Sequence, residues 1–236
     1  MKKLLIGIST AALALALFVI PGFATQKTDL TNNQWRLLTV VELPTGYTNF
    51  MTSHPSYDEN GATFTFPDIN SGHMVYMLGN YNNDLTGKTI TVKASWTPST
   101  TYKTRSTCDS GDLAYGRLEL QDTSSGTYNF NDYWWYNGQK FDLNNTDNSG
   151  TITALLSNRA AWTNICGKSA TDTTVYSGPD CINGEYPAVS PYDGFTNAIK
   201  NVKQLGLSFG SSCRYASGVA NDTPSTFTLS NFNIGE

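Results

Sequence analysis

Glutamates and histidines, two common carriers of acid and base chemistry, are few in this 236-residue chain. The glutamates are Glu42, Glu59, Glu119, Glu185 and the terminal Glu236. Hydrolysis of a glycosidic bond needs two carboxylates flanking it. The Glu-x-Asp-x-x-Glu pattern of one sandwich glycosidase type is absent, and nothing in the spacing brings Glu119 and Glu185 together. Glu119 reads as a strand residue salt-bridged to Arg117, and Glu185 as a solvated loop residue. The two histidines are His54, before Pro55, and His73, between a glycine turn and a strand. No Gly-x-Ser-x-Gly elbow accompanies them, so a serine triad lacks its parts. No catalytic residue is expected.

Metal and thiol chemistry come next. The stretch "DLNNTDNSG" at 142–150 is dense in oxygen ligands, with Asp142, Asn144, Thr146, Asp147 and Asn148. Asp147 stands where a helix-loop-helix calcium loop needs glycine, and no bidentate glutamate follows. It reads as a hairpin loop, and no metal ligands are named. The four cysteines are Cys108, Cys166, Cys181 and Cys213. No Cys-x-x-Cys pair exists, which argues against zinc. Two disulfides are expected, Cys166–Cys181 across a Thr/Gly/Pro-rich loop and Cys108–Cys213. Closing the first loop contributes about 3 kcal/mol on the chain-entropy account.

The aromatic run "YWWY" at 133–136 carries a different chemistry. Neighbours in a strand point to opposite faces. Trp134 and Tyr136 share a face with Phe130, and this apolar set is expected in the core. Tyr133, Trp135 and Asn137 share the other face. Flat rings beside an amide suit a sugar, whose C–H faces stack on aromatics and whose hydroxyls need polar partners. Arg214 and Tyr215, after Cys213, offer a second polar-aromatic rim. These five are the candidate ligand-binding residues. Exposure of Trp135 in a cleft would favour binding, and its burial a structural role for the strand.

These residues must be held by strands. "TITVKASW" at 89–96 alternates Ile90, Val92, Ala94 and Trp96 against polar residues, the pattern of a half-buried strand. Strands are also expected at 35–43, 62–66, 73–78, 113–121, 133–136, 150–156, 204–210 and 225–234, with turn signals such as Asn60-Gly61 and Asn137-Gly138 between them. One short helix is expected in "DGFTNAIKNVKQLG", capped by Asp193 and ended before Gly206, and a short turn near 157–163. The spacing predicts an all-β fold, an antiparallel two-sheet jelly-roll sandwich with one short helix.

Several of these stretches taken together resemble a known group. "NDLTGKTITVKASW", the "WW" strand, "TITALL", "VKQLGLSFGSSC" and the closing "STFTLSNFNI" resemble carbohydrate-binding-module-like, galactose-binding-like β-sandwiches of secreted bacterial proteins. The resemblance covers about residues 80–97 and 130–236. It implies a glycan or polysaccharide partner, and members of the group often hold a structural calcium; no cofactor is expected beyond such an ion.

Composition and the first residues bound the rest. Lys2 and Lys3, the apolar run Leu4–Ile20 and the small residues Gly22 and Ala24 read as a signal peptide over 1–24. One domain over 25–236 follows, secreted or periplasmic, with no membrane segment after cleavage. Acidic residues outnumber basic ones 19 to 15, and no Lys/Arg cluster exists, so nucleic acid is excluded as a partner. Charged residues are only 14% of the chain, and the hydroxyl- and amide-rich remainder suits a neutral ligand. The expected function is non-catalytic carbohydrate binding. The alternatives are a secreted structural or surface-interaction protein without a small ligand and, third, a glycoside hydrolase.

Overall fold

The computed structural model describes residues 26–27, 35–42, 48–98, 101–105, 113–122, 130–179, 181 and 188–235. The expected signal segment 1–24, Cys108 and Glu185 lie outside these residues. In chain order the strands are β1 (Gln26–Lys27), β2 (Trp35–Glu42), β3 (Thr48–Ser53), β4 (Ser56–Asp58), β5 (Gly61–Thr65) and β6 (His73–Asn83). Next come β7 (Thr89–Trp96), β8 (Tyr102–Thr104), β9 (Tyr115–Gln121), β10 (Tyr133–Tyr136), β11 (Phe141–Asp142) and β12 (Ser149–Leu155). The last are β13 (Trp162–Asn164), β14 (Val202–Gly210), β15 (Val219–Asn221) and β16 (Thr226–Gly235), with helix α1 (Pro191–Lys200) before β14.

The strands form two antiparallel sheets, one of six strands and one of ten among the described residues. This is the expected all-β sandwich. The smaller sheet runs β12–β7–β16–β5–β4, with β1 also on β16. Through the larger sheet the pairing β13–β10–β9–β14–β6–β2–β3 gives a continuous order.

Alternation explains which faces meet. Ile90, Val92, Ala94 and Trp96 of β7 are all buried, as their spacing predicts. On β16 the apolar residues change parity, from Phe227 and Leu229 to Phe232 and Ile234. A register shift between Leu229 and Asn231 restores the phase, so all four are at most 5% exposed. One extra residue in a strand flips the side chains that follow it, and a bulge is how both halves keep their apolar set inward. Phe64, Phe66, Phe209 and Phe227 pack between the sheets, with adjacent ring centroids 4.9 to 6.3 Å apart.

The helix starts earlier than expected. Ser190, not Asp193, is its N-cap, with Oγ accepting from Asp193 N at 3.1 Å and donating to Asp193 Oδ2 at 2.8 Å. Pro191 fits the first turn because its missing N–H has no helical partner there. The helix ends at Lys200, and Val202 already belongs to β14. Phe195 of α1 packs on Trp134 at 5.0 Å and on Trp162 at 5.5 Å, which seals one end of the core.

Candidate functional site

The outer face of the ten-stranded sheet carries the unusual residues. β9 reads Tyr115-Gly-Arg117-Leu-Glu119-Leu-Gln121, and Leu118 and Leu120 point into the core. Alternation puts Arg117, Glu119 and Gln121 on the opposite face, normally a solvated one. Here all three are buried, at 2%, 0% and 5% exposure. The register brings neighbours to them: Trp135 lies opposite Glu119, Ser208 opposite Arg117, and Tyr76 opposite Ser208.

Glu119 is held by neutral donors. Gln121 Nε2 donates to Oε1 at 2.6 Å and Trp135 Nε1 to Oε2 at 3.1 Å. Trp135 Nε1 also reaches Ser208 Oγ at 2.8 Å. Complete burial pushes the Glu119 carboxyl up to about 8, against which its hydrogen bonds from Gln121, Trp135 and Ser208 act only partly. The acid is therefore neutral at pH 7. The salt bridge expected between Glu119 and Arg117 does not form.

Arg117 has other partners. Its Nη1 donates to Ser211 O at 2.8 Å and Nη2 to Ser212 O at 3.4 Å. The guanidinium lies 4.4 Å from the Tyr215 ring centroid and 4.9 Å from that of Tyr115. Lys140 Nζ sits 3.7 Å from the Tyr115 centroid. Burial pushes Arg117 down to about 10, so it stays charged at neutral pH. Its Nε has no acceptor.

The loop after β14 is folded onto these groups. Ser211 Oγ accepts from Arg214 N at 3.0 Å, and Arg214 O accepts from both Ser211 N and Ser217 N. A Cβ on Gly210 would stand 2.2 Å from Arg214 O, so only glycine lets the loop approach this closely. Asn164, at the end of β13, shapes the facing lip. Its Oδ1 accepts from Cys166 N at 3.1 Å and Lys168 N at 2.9 Å. Gly167 turns there with φ +73°, a value that favours glycine.

Between the two loops lies a pocket of about 600 Å³. Trp135 and Tyr76 border it from the sheet, Asn164, Ile165 and Gly167 from one loop, and Cys213 to Ser217 from the other, with Arg105 at the rim. Such a volume falls within the roughly 300–1,000 Å³ of small-ligand sites. A second pocket of about 320 Å³ adjoins it and shares Tyr76. Arg36, Leu38, Gln121, Tyr133 and Gln204 are among its walls. The two hollows share Tyr76 as a wall and together make up the candidate groove.

The sequence-nominated residues are distributed over this groove. Trp135, Arg214 and Tyr215 border the larger pocket and Tyr133 the smaller. Asn137 lies exposed beyond both, donating through Nδ2 to Thr163 Oγ1 at 2.7 Å. Trp134 and Tyr136 join the core, whereas Trp135 does not. Yet Trp135 is only 2% exposed, so it supports the pocket without offering a broad ring face. The half-buried ring of Tyr215, edge-on to Trp135 at 5.7 Å, stands at the opening instead. Phe130 lies in a 3-10 turn rather than extending the strand, and is fully buried. Arg117, Ser208, Tyr76, Arg105 and Asn164 were not nominated from sequence. A weak signal existed in β9, where Arg117, Glu119 and Gln121 alternate with Gly116, Leu118 and Leu120.

Other expectations resolve elsewhere. Cys166 and Cys181 are bonded to each other, as expected. Cys213 is also disulfide-bonded. The 142–150 loop is a tight turn in which Asp142 Oδ1 accepts from Asn144 N at 3.1 Å. Among the described residues no three His, Cys, Asp or Glu side chains converge on one point. His54 Nδ1 donates to Trp35 O at 2.9 Å. No helix among the described residues is long and apolar enough to cross a membrane.

No family model matches the chain. No curated protein matches it either. A solved structure, a xylan-binding module CBM15, aligns over 91% of this chain and 97% of its own, at 11% identity and a TM-score of 0.43.

Proposed function

We propose that this chain is an exported, non-catalytic glycan-binding protein whose ligand lies along the groove on the outer face of the ten-stranded sheet. One observation carries the reading: the larger pocket joins a half-exposed aromatic ring, Tyr215, to polar groups on Asn164, Ser217, Arg105 and Arg214, and continues past Tyr76 into a second pocket. A ring for stacking beside fixed hydrogen-bonding groups is what a pyranose needs, and a groove of two hollows suits more than one sugar unit. The disulfides support export, since such bonds persist in oxidising compartments. The described walls of both pockets hold no Asp or Glu. Glu119 lies sealed under Trp135, and its hydrogen-bond partners among the described residues include no second carboxylate to complete a glycosidase pair.

The test is titration of the purified protein against a panel of soluble and insoluble polysaccharides, with reducing-sugar release followed in parallel. Saturable binding without release is expected. Absence of binding across the panel would overturn the reading, and release lost in Glu119→Gln would replace it with hydrolysis.

A second reading, a surface-interaction protein, draws on Phe50 and Met51. These side chains of β3 are 62% and 56% exposed. Concentration-dependent self-association together with an empty polysaccharide panel would favour it.

A further inference from the structure

We infer that the glycan is acidic, and that the pocket beside Tyr215 takes a sugar bearing a carboxylate, a uronic acid unit. This rests on the glycan-binding reading and narrows it, against the neutral ligand that composition alone suggests.

Among the described walls of the two pockets the charged residues are of one sign. Arg105 and Arg214 border the larger pocket and Arg36 the smaller, and no Asp or Glu is among the described walls of either. Across the chain acidic residues are the more numerous, 19 to 15, so arginine here is not the background composition. A guanidinium presents a planar fork that matches a carboxylate through two parallel hydrogen bonds.

Arg117 adds a fixed charge behind the opening. It is 2% exposed, and its partners are two carbonyls and two rings, with no carboxylate. A buried cation without a counter-ion is costly, and its charge is screened less than that of an exposed one. Tyr215, whose ring it lies against, borders the larger pocket. The cation also draws on one face of the Tyr215 ring, which lessens the negative potential the other face presents to a ligand. A neutral sugar gains less from such a ring, and an anionic one is repelled less. Glu119, two residues on along the same face of β9, is kept mainly neutral at pH 7 by its burial and does little to cancel the field.

The experiment compares matched polymers: polygalacturonate against its carboxyl-reduced counterpart, and glucuronic-acid-substituted xylan against unsubstituted xylan. Calorimetric titration at low salt is expected to give at least about tenfold tighter binding for the acidic member of each pair, the worth of a charged hydrogen-bonding pair in a partly dry site. High salt and Arg214→Ala each remove most of that preference; Arg214 is exposed, and an unchanged melting temperature certifies the variant's fold. Equal affinity for acidic and neutral members overturns this inference while leaving glycan binding intact. A sulfated neutral polymer that binds as tightly as the uronate overturns the carboxylate assignment. Failure of every polymer to bind overturns the glycan reading and this inference together.

Discussion

The indole N–H of Trp135 is shared between Glu119 Oε2, at 3.1 Å, and Ser208 Oγ, at 2.8 Å. Three strands of one sheet, β10, β9 and β14, are thereby joined on their outer face by a side-chain network as well as by their backbone ladders. Trp135 is thus a structural member of the groove. Its neighbour Trp134 is held differently, by Phe195 and by its Nε1 donating to Asn131 O at 2.7 Å.

Both tryptophans are expected to matter for stability, for separate reasons. Trp134→Ala empties a fully buried core site and is expected to cost about 3–5 kcal/mol. Trp135→Ala is expected to cost a comparable amount, more than strand alternation alone suggests, because it opens a cavity and takes a donor from Glu119. Trp135→Phe keeps a six-membered aromatic ring but loses the donor and part of the buried indole volume, at about 1–3 kcal/mol. Urea unfolding of the three variants checks the order; a Trp135→Ala protein as stable as wild type would contradict it.

The stability of the protein should fall as pH rises toward the alkaline side of neutral. Between its ordinary value of 4.5 and its folded value of about 8, Glu119 keeps a proton in the folded state that the unfolded chain releases. The stabilisation it provides is therefore full below pH 4.5 and is lost as pH rises through about 8, at no more than about 1.4 kcal/mol per pH unit. Glu119→Gln should flatten this dependence. Unfolding free energies across that range, in both proteins, measure it; superimposable pH profiles would show that Glu119 ionises without cost.

Tyr215→Ala is expected to weaken glycan binding at least about tenfold, since it removes the ring at the mouth of the pocket. Tyr215→Phe keeps the ring and should retain most of the affinity. Calorimetric titration separates the two. Equal losses in both variants would assign the role to the hydroxyl instead of the ring.

Gly210→Ala is expected to damage the pocket from outside it. The new methyl group would meet Arg214 O at 2.2 Å and force the 211–217 loop outward, at about 1–3 kcal/mol of stability. Glycan affinity should fall with it. A melting curve and a titration suffice, and a variant with unchanged affinity would show that the loop can move without loss.

The strands and the core were legible in the sequence because their signal is local. Alternation alone placed Ile90, Val92, Ala94 and Trp96 inward, and placed Trp134 and Trp135 on opposite faces. Short strands such as Ser56–Asp58, Tyr102–Thr104 and Val219–Asn221 carried too few residues to show a period. The helix start was misplaced because Asp193 looks like a cap, whereas Ser190 before Pro191 makes a better one. The groove was legible only in fragments. Glu119 read as the salt-bridge partner of Arg117, since nothing local reveals that Trp135 and Tyr215 from distant segments cover these two side chains. Their burial is a product of topology, and alternation cannot report whether an outward face is wet or roofed.

The cross-link at Cys166–Cys181 sits between two residues that border the larger pocket, Ile165 and Gly167, and disulfide-bonded Cys213 stands on the opposite rim. Both rims are thus restrained before any ligand arrives, over a sheet that cannot flex far. On the proposed glycan-binding function, the entropy lost on association then falls mainly on the glycan, whose linkages must settle into one shape, and little on the protein. Opening either bond would leave the sheet beneath intact but release a rim, so the complex would form at nearly the same rate and fall apart sooner. Oxidation state would be read in the lifetime of the bound chain.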